Sequence, residues 1–370
     1  VNRKFRPEKI RRVVVRGANW VGDAVMTVPA LRELRRLLPH ANLTLVTRPW
    51  AEGIFDGADF LDRILAVEET RANTRGVLRE AREWRAQRFD LAVLFPNAFA
   101  PALVAALARV PARIGYATQG RGPLLTHAVN VPAWRGERQE VFYYLNVIAE
   151  LERLLYDSTT VEARRPRTEL FVSEARGREA RRLLHEQGVR VERPLVAMCP
   201  GSTNSRAKRW PAERFAAVAD LLMERAGADI VLVGAREESD ISEDVARRMS
   251  RRPAVLTGRT DLGQTVALLS EADLLITNDT GPAHIAASVG CPVVVIFGPT
   301  NPATTAPFSP LSEVVRRPPD CAPCMLRDCP IDHRCMTAVT AAEVFERSAR
   351  ALETRRTTSA AKLNGSEVLR

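Results

Sequence analysis

Apolar residues in this chain form two patterns that alternate along its length. Short continuous runs read as strands: "RRVVVRG" (11–17), "NLTLVTR" (42–48), "DRILAVE" (62–68), "FDLAVLF" (89–95), "ARIGYA" (112–117) and "HAVNV" (127–131). Helical spacing fills most gaps, at about 24–38, 71–87, 98–109 and 137–155. Continuous apolar strands separated by amphipathic helices imply an α/β fold with a parallel sheet covered on both faces.

The alternation stops at "YDSTTVEARRPRTELFV" (156–172), a polar, proline-containing stretch that fits an interdomain connection. The next helix spans about 173–188, with Ser173 as its N-cap and Gly188 as the residue just past its end. A second series follows, with strands at 194–201, 228–235, 254–258, 273–279 and 292–299 and helices near 211–226, 239–250, 261–271 and 282–289. The pattern therefore divides the chain into an α/β domain over 1–165, a linker and connecting helix over 166–190, and a second α/β domain over 191–355. The polar residues 356–370 are expected to be a disordered tail. Two doubly wound halves should bind ligand between them, at loops on the strand carboxyl ends.

Composition narrows the partners. The 370 residues are 46% hydrophobic and 26% charged, ordinary for a globular protein, and no apolar run is long enough to span a bilayer. The charged start "VNRKFRPEKIRR" lacks a signal peptide's apolar core, so the cytoplasm is the default expectation. The net charge of +10 favours anionic partners. Nucleic acid is disfavoured, because only 6% of residues are aromatic and no stacking motif or recognition helix is visible.

Three segments of the second half sit where ligand loops belong. "PGSTNSRAKRWP" (200–211) follows a strand and offers a glycine, small polar side chains and Lys208 just before a helix. That combination suits a pyrophosphate, although the P-loop ending is absent. "NDTGPAHIAA" (278–287) runs from a strand into Asp279, Thr280 and Gly281, then a helix carrying His284. Asp279 alone could simply cap that helix, and His284 could be a core histidine. In "VGAREESD" (233–240), Glu237 or Glu238 follows a buried strand, a common position for a ribose ligand. The first half contributes "RGANWVGDAVMTVPAL" (16–31), a strand-to-helix turn whose two glycines are five apart and whose Asp23 would repel a phosphate.

Taken together, "WVGD", "RIGY", "CPG…AKRWP", "NDTGPAHIAA" and "C-x-x-C…CP-x-DH-x-C" resemble glycosyltransferase family 9, the heptosyltransferases of lipopolysaccharide core assembly. Within it the motifs look most like the ADP-heptose:lipopolysaccharide heptosyltransferase II branch. The resemblance spans nearly the whole chain apart from its termini. It implies a GT-B fold, an acceptor-binding N-terminal domain, and a C-terminal domain for the nucleotide sugar. It also implies inverting transfer of L-glycero-D-manno-heptose from ADP-heptose to a heptose of the lipid A inner core, without a catalytic metal or other cofactor. Lys208 would then neutralise the pyrophosphate beside Thr203 and Asn204. Asp279, Thr280, Gly281 and His284 would complete the donor pocket, and Glu237 would hold the ribose, with Glu238 equally placed.

An inverting displacement needs a carboxylate opposite the leaving group to take the acceptor proton. Asp23 is expected in that role; its other reading is a helix N-cap. Trp20 and Gly22 beside it, and Arg48, Arg113 and Arg121, are the candidate acceptor contacts, arginine being suited to phosphates and acid sugars. The positive charge fits peripheral attachment to the inner leaflet of the inner membrane.

"CAPCMLRDCPIDHRC" (321–335) holds four of the six cysteines, Cys321, Cys324, Cys329 and Cys335. Either a structural zinc site or reduced packing thiols fits that spacing, and disulfides are not expected in a reducing compartment. Competing functions are another family 9 transferase with a different acceptor or nucleotide sugar, and a GT-B-shaped sugar-nucleotide epimerase.

Overall fold

The computed structural model describes residues 6–68, 74–190 and 192–366. The chain forms two compact units, Val1–Glu169 and Leu170–Arg370. The helix expected within the 166–190 linker lies whole in the second unit.

The first unit contains β1 (Arg12–Arg16), α1 (Val21–Met26), α2 (Val28–Leu37), β2 (Asn42–Thr47), β3 (Arg63–Ala66), α3 (Thr74–Gln87), β4 (Leu91–Leu94), α4 (Phe99–Leu107), β5 (Ala112–Tyr116), β6 (His127–Val129) and α5 (Glu140–Tyr156). Among the described residues its sheet has the order β3-β2-β1-β4-β5-β6, with every pairing parallel. On one face of this sheet Val14, Ala92 and Leu94 pack against Val77, Ala81 and Trp84 of α3 and Ala102 and Ala105 of α4. The expected helix over 24–38 is two helices. Thr27 turns its hydroxyl onto the Ala24 carbonyl at 2.6 Å, and Pro29 has no N–H to continue the α1 ladder. Residues 71–73 of the expected third helix lie outside the described residues.

The second unit contains α6 (Glu174–Glu186), β7 (Leu195–Cys199), α7 (Ala212–Arg225), β8 (Asp229–Leu232), α8 (Ser239–Arg248), β9 (Ala254–Val255), α9 (Leu262–Glu271), β10 (Leu274–Asn278), α10 (Gly281–Ser288), β11 (Val293–Phe297), α11 (Pro302–Thr305), β12 (Ser312–Arg316), α12 (Arg334–Thr337) and α13 (Ala341–Ser366). Its sheet repeats the plan in the order β12-β11-β10-β7-β8-β9, again parallel. Ser173 caps α6 by accepting from the Arg176 N–H, and Gly188 follows with φ +77, as the sequence implies. The helix α6 packs on α9, which fixes it to this unit.

Two elements depart from expectation. The strand β12, "SEVVR", is a half-buried edge strand whose mixed polarity hides it from a search for continuous apolar runs. The helix α13 continues to Ser366, where an unstructured tail was expected from 356. Its inner turns are anchored by buried Val344 and Leu352, and "ALETRRTTSAAKL" contains no proline to stop propagation. Residues 367–370 of that expected tail lie outside the described residues. Among the described residues no helix is long and apolar enough to cross a membrane.

Candidate active site

In a doubly wound sheet the crevice opens where neighbouring strands lead their crossovers in opposite directions. In the second unit that point lies between β7 and β10. The buried Asn278, at the end of β10, joins the two strand ends. Its Nδ2 donates to the Pro200 and Gly201 carbonyls at 2.8 and 3.1 Å, and its Oδ1 accepts from the Trp210 N–H at 3.1 Å. Trp210 is buried, stands edge-on to Phe215 and donates its indole N–H to the Val339 carbonyl at 3.0 Å. The loop 200–211 is therefore anchored at both ends.

Between those anchors the loop presents exposed Thr203 and Asn204, then half-buried Lys208. Lys208 Nζ donates to the Asp279 carboxylate at 2.9 Å and to its carbonyl at 3.0 Å. Thr300 donates its hydroxyl to the same carboxylate oxygen at 2.6 Å. Asp279 is thus occupied by Lys208 and Thr300. The N-cap position of α10 belongs to Thr280, whose hydroxyl lies 3.2 Å from that of Thr277. Gly281 opens α10 and His284 faces inward from it. Burial pushes the His284 imidazole down to about 4, outweighing the opposing pull of Asp279, with Lys208 adding to the fall. At neutral pH it is an uncharged donor–acceptor group.

The two glutamates left equally placed by the sequence differ in burial. Glu237 is exposed, whereas Glu238 is buried and points to the strand ends. Its carboxylate accepts from the Ala235 N–H at 2.9 Å and from the Thr203 hydroxyl at 3.1 Å. A Cβ at Gly201 would lie 2.3 Å from the Glu238 carboxyl carbon, so only glycine lets this carboxylate stand against the loop.

The cysteine-rich segment braces the Lys208 loop from its other side. The Arg327 carbonyl accepts from the Ala207 N–H at 2.9 Å and from the Ser205 hydroxyl at 3.2 Å. Asp328 pairs with Arg206 at 2.7 Å, and the His333 ring bonds the Ala207 carbonyl. Cys335 is buried, Cys324 and Cys329 are half-buried, and Cys321 is exposed, all as free thiols. Among the described residues no three Cys, His, Asp or Glu side chains are grouped to hold a metal.

In the first unit the corresponding switch point lies between β1 and β4. The turn "GANW" leads from β1 into α1, where Trp20 is half-exposed at the N-cap position and Gly22 and Asp23 occupy the first turn. Asp23 is the third residue of α1, so it does not cap the helix. Tyr144, on α5, donates its hydroxyl to Asp23 Oδ1 at 3.1 Å. Burial, then the Asp23 and Glu140 charges, push that phenol well above its ordinary range, so it stays a neutral donor; Arg135 pulls the other way. Phe95, just past β4, stands edge-on to the Tyr144 ring at 5.4 Å.

The three candidate arginines separate. Arg48 follows β2 at the carboxyl edge, on the same side as Asp23. Arg113 lies near the amino end of β5 and donates to the Leu124 and Val110 carbonyls at 2.7 and 2.6 Å, so it is remote from that edge. Arg121 is fully buried and ties the loops after β4 and β5 together by donating to the Tyr116, Pro96 and Ala98 carbonyls. Burial lowers its guanidinium to about 10, still charged at neutral pH. Both guanidinium groups thus hold backbone carbonyls together, although one buried Arg121 terminal nitrogen, Nη2, has no hydrogen-bond partner.

Sequence reasoning did not single out Asn278, Thr300 or Tyr144. Asn278 is the first residue of the recognised "NDTGPAHIAA" motif, and Thr300 directly follows the strand expected over 292–299. Tyr144 sits on a helix 121 residues from Asp23, and nothing local marks it.

Two doubly wound units, each with its own switch point, have the architecture of the GT-B fold. Residues 77–334 match the model of glycosyltransferase family 9 (heptosyltransferase), and the chain belongs to that family. It is similar to lipopolysaccharide heptosyltransferase 2 of Salmonella typhimurium, with 28% identity covering 82% of this chain and 88% of that protein. The Escherichia coli K12 protein of the same name is also 28% identical, with the same coverage. Its fold matches the solved structure of E. coli ADP-heptose lps heptosyltransferase II with a TM-score of 0.78 and 24% identity, covering 93% of this chain and 99% of that one. A family 9 glycosyltransferase from Veillonella parvula matches with a TM-score of 0.80, also at 24% identity, covering 93% and 98%.

Proposed function

We propose that this enzyme transfers L-glycero-D-manno-heptose from ADP-heptose to a heptose of the lipopolysaccharide inner core, inverting the anomeric centre. The observation that carries the reading is the Lys208–Asp279–Thr300 cluster at the strand ends, in a chain similar over most of its length to heptosyltransferase 2 proteins.

In this reaction Lys208 releases part of its contact with Asp279 to meet the donor pyrophosphate. With backbone N–H groups at the start of α10, it stabilises the charge that grows on departing ADP. That electrostatic task calls for no divalent ion. Neutral His284 and Thr280 complete the pocket, and Glu238 takes the ribose hydroxyls in place of Glu237. The acceptor hydroxyl oxygen attacks the anomeric carbon, the bond from that carbon to the phosphate oxygen breaks, and ADP leaves with the electron pair. Asp23 receives the acceptor proton, while Tyr144 holds the carboxylate in position. Trp20, Gly22 and Arg48 border the acceptor. The lipid-borne acceptor brings the enzyme to the membrane as a peripheral protein, in keeping with its positive charge.

The test incubates purified enzyme with ADP-heptose and a lipid acceptor bearing one heptose. A mass gain of one heptose, with ADP released only when acceptor is present, is expected. ADP release without acceptor, or no reaction with either substrate, would overturn the reading.

A further inference from the structure

The segment "AFAPALVAALA" (98–108), which contains α4, carries no polar side chain, yet the helix lies on the surface. Phe99 and Leu107 are 44% and 41% exposed, and half-buried Leu103 lies between them at i+4 spacing. A helix that is apolar all round belongs in a core or against another apolar surface. Its neighbour α3, which packs on it, is strongly cationic outside. Arg75, Arg79 and Arg82 fall on one exposed face, opposite buried Val77, Ala81 and Trp84, with Glu83 at the flank. Some surface arginines pair with carboxylates one turn away, as Arg178 with Glu174 and Arg182 with Glu186, while others, such as exposed Arg109 and Arg251, have no ion pair among the described residues. Among the described residues these three form no ion pair.

We propose that the outer faces of α3 and α4 form the surface by which the enzyme docks on an anionic phospholipid bilayer. An apolar stripe beside a row of arginines matches such a bilayer in both respects. Phe99, Leu103 and Leu107 enter the headgroup boundary while the guanidinium groups meet lipid phosphates. A second copy of this chain is the poorer occupant, because a two-fold interface here would bring one arginine row close to another. The proposal deepens the membrane part of the proposed function and rests on it.

The test uses the full chain in sedimentation with vesicles of phosphatidylcholine alone or mixed with phosphatidylglycerol. The wild type is expected to partition onto the mixed vesicles only. The Arg75→Gln/Arg79→Gln/Arg82→Gln variant should lose on the order of a hundredfold in partitioning. The Phe99→Ser/Leu107→Ser variant should weaken it severalfold. Both should keep wild-type melting temperatures and wild-type transfer to a delipidated, water-soluble acceptor. Partitioning that ignores both variants, equal partitioning onto phosphatidylcholine alone, or variants that instead abolish a dimer would overturn the surface. Absent transfer to the soluble acceptor, with vesicle binding and its dependence on these residues intact, would sink the functional reading and leave the surface standing.

Discussion

The two sheets have the same strand order and the same switch point, yet the side chains placed there differ in kind. At β7 and β10 the ends carry a cation held by a carboxylate, a buried neutral imidazole and hydroxyls. At β1 and β4 the corresponding place carries a carboxylate held by a phenol. The backbone supplies a crevice twice, and the polar residues decide what each receives. A cationic end suits a leaving diphosphate, and an anionic end suits a hydroxyl about to lose its proton. Function is therefore argued from the two side-chain sets rather than from the shared fold.

That contrast can be broken from either side. The largest effect is expected at Asp23→Asn, which keeps size and polarity but removes the carboxylate proposed to take the acceptor proton. Transfer should fall by about a hundredfold to ten-thousandfold in kcat, with the melting temperature unchanged. Tyr144→Phe should move the acidic limb of kcat/KM against pH upward, because a hydrogen bond to the charged form is lost. The same change in the Asp23→Asn background should do nothing further. Glu140 and Arg135, which also act on Tyr144, are present in both backgrounds and cancel in the comparison.

On the cationic side, Lys208→Met should lower kcat/KM by about a hundredfold or more, measured with saturating acceptor, while acceptor binding is unaffected. Glu238→Gln should raise the KM for the donor by about tenfold through a weakened ribose contact, whereas Glu237→Gln should leave it unchanged. An effect confined to Glu237→Gln would restore Glu237 as the ribose ligand.

A separate effect, on stability rather than turnover, concerns His284. Its folded imidazole lies near 4 and the unfolded one near 6.5, so between those values the unfolded chain binds more protons. Stability should then fall as pH drops from about 6.5 to about 4, by about 3 kcal/mol, with no further loss from this group below that. Urea titrations across this range should show a shallower slope for His284→Gln.

Most of the fold was legible because parallel strands buried on both faces appear as continuous apolar runs, and the expected strands are all present. The edge strand β12 was not, since an edge strand with one open face has no such run. The length of α13 was hidden for a different reason. Its last turns lack an apolar stripe and continue a helix that Val344 and Leu352 anchor earlier. Among site residues, Lys208, Asp279, Thr280 and Asp23 were marked by position at strand ends. Glu237 and Glu238 could not be separated, because a one-residue rotation in the 3₁₀ turn Arg236–Glu238 decides which of them faces Gly201. The backbone contacts of Arg113 and Arg121 were not legible, because an arginine looks the same in sequence whether it meets a ligand or a backbone carbonyl.

The double anchoring of the Lys208 loop constrains its length. Surface loops ordinarily accept insertions at little cost. This one is tied to β10 by Asn278, to the start of α13 by Trp210, and to the segment around Arg327 by Ala207 and Ser205. Adding or removing one residue between Gly201 and Trp210 would put these ties out of register together. The distance from Asn278 to Lys208 behaves as a fixed gauge, set by the sheet and copied into the loop, so this part of the chain can vary in composition but not in count.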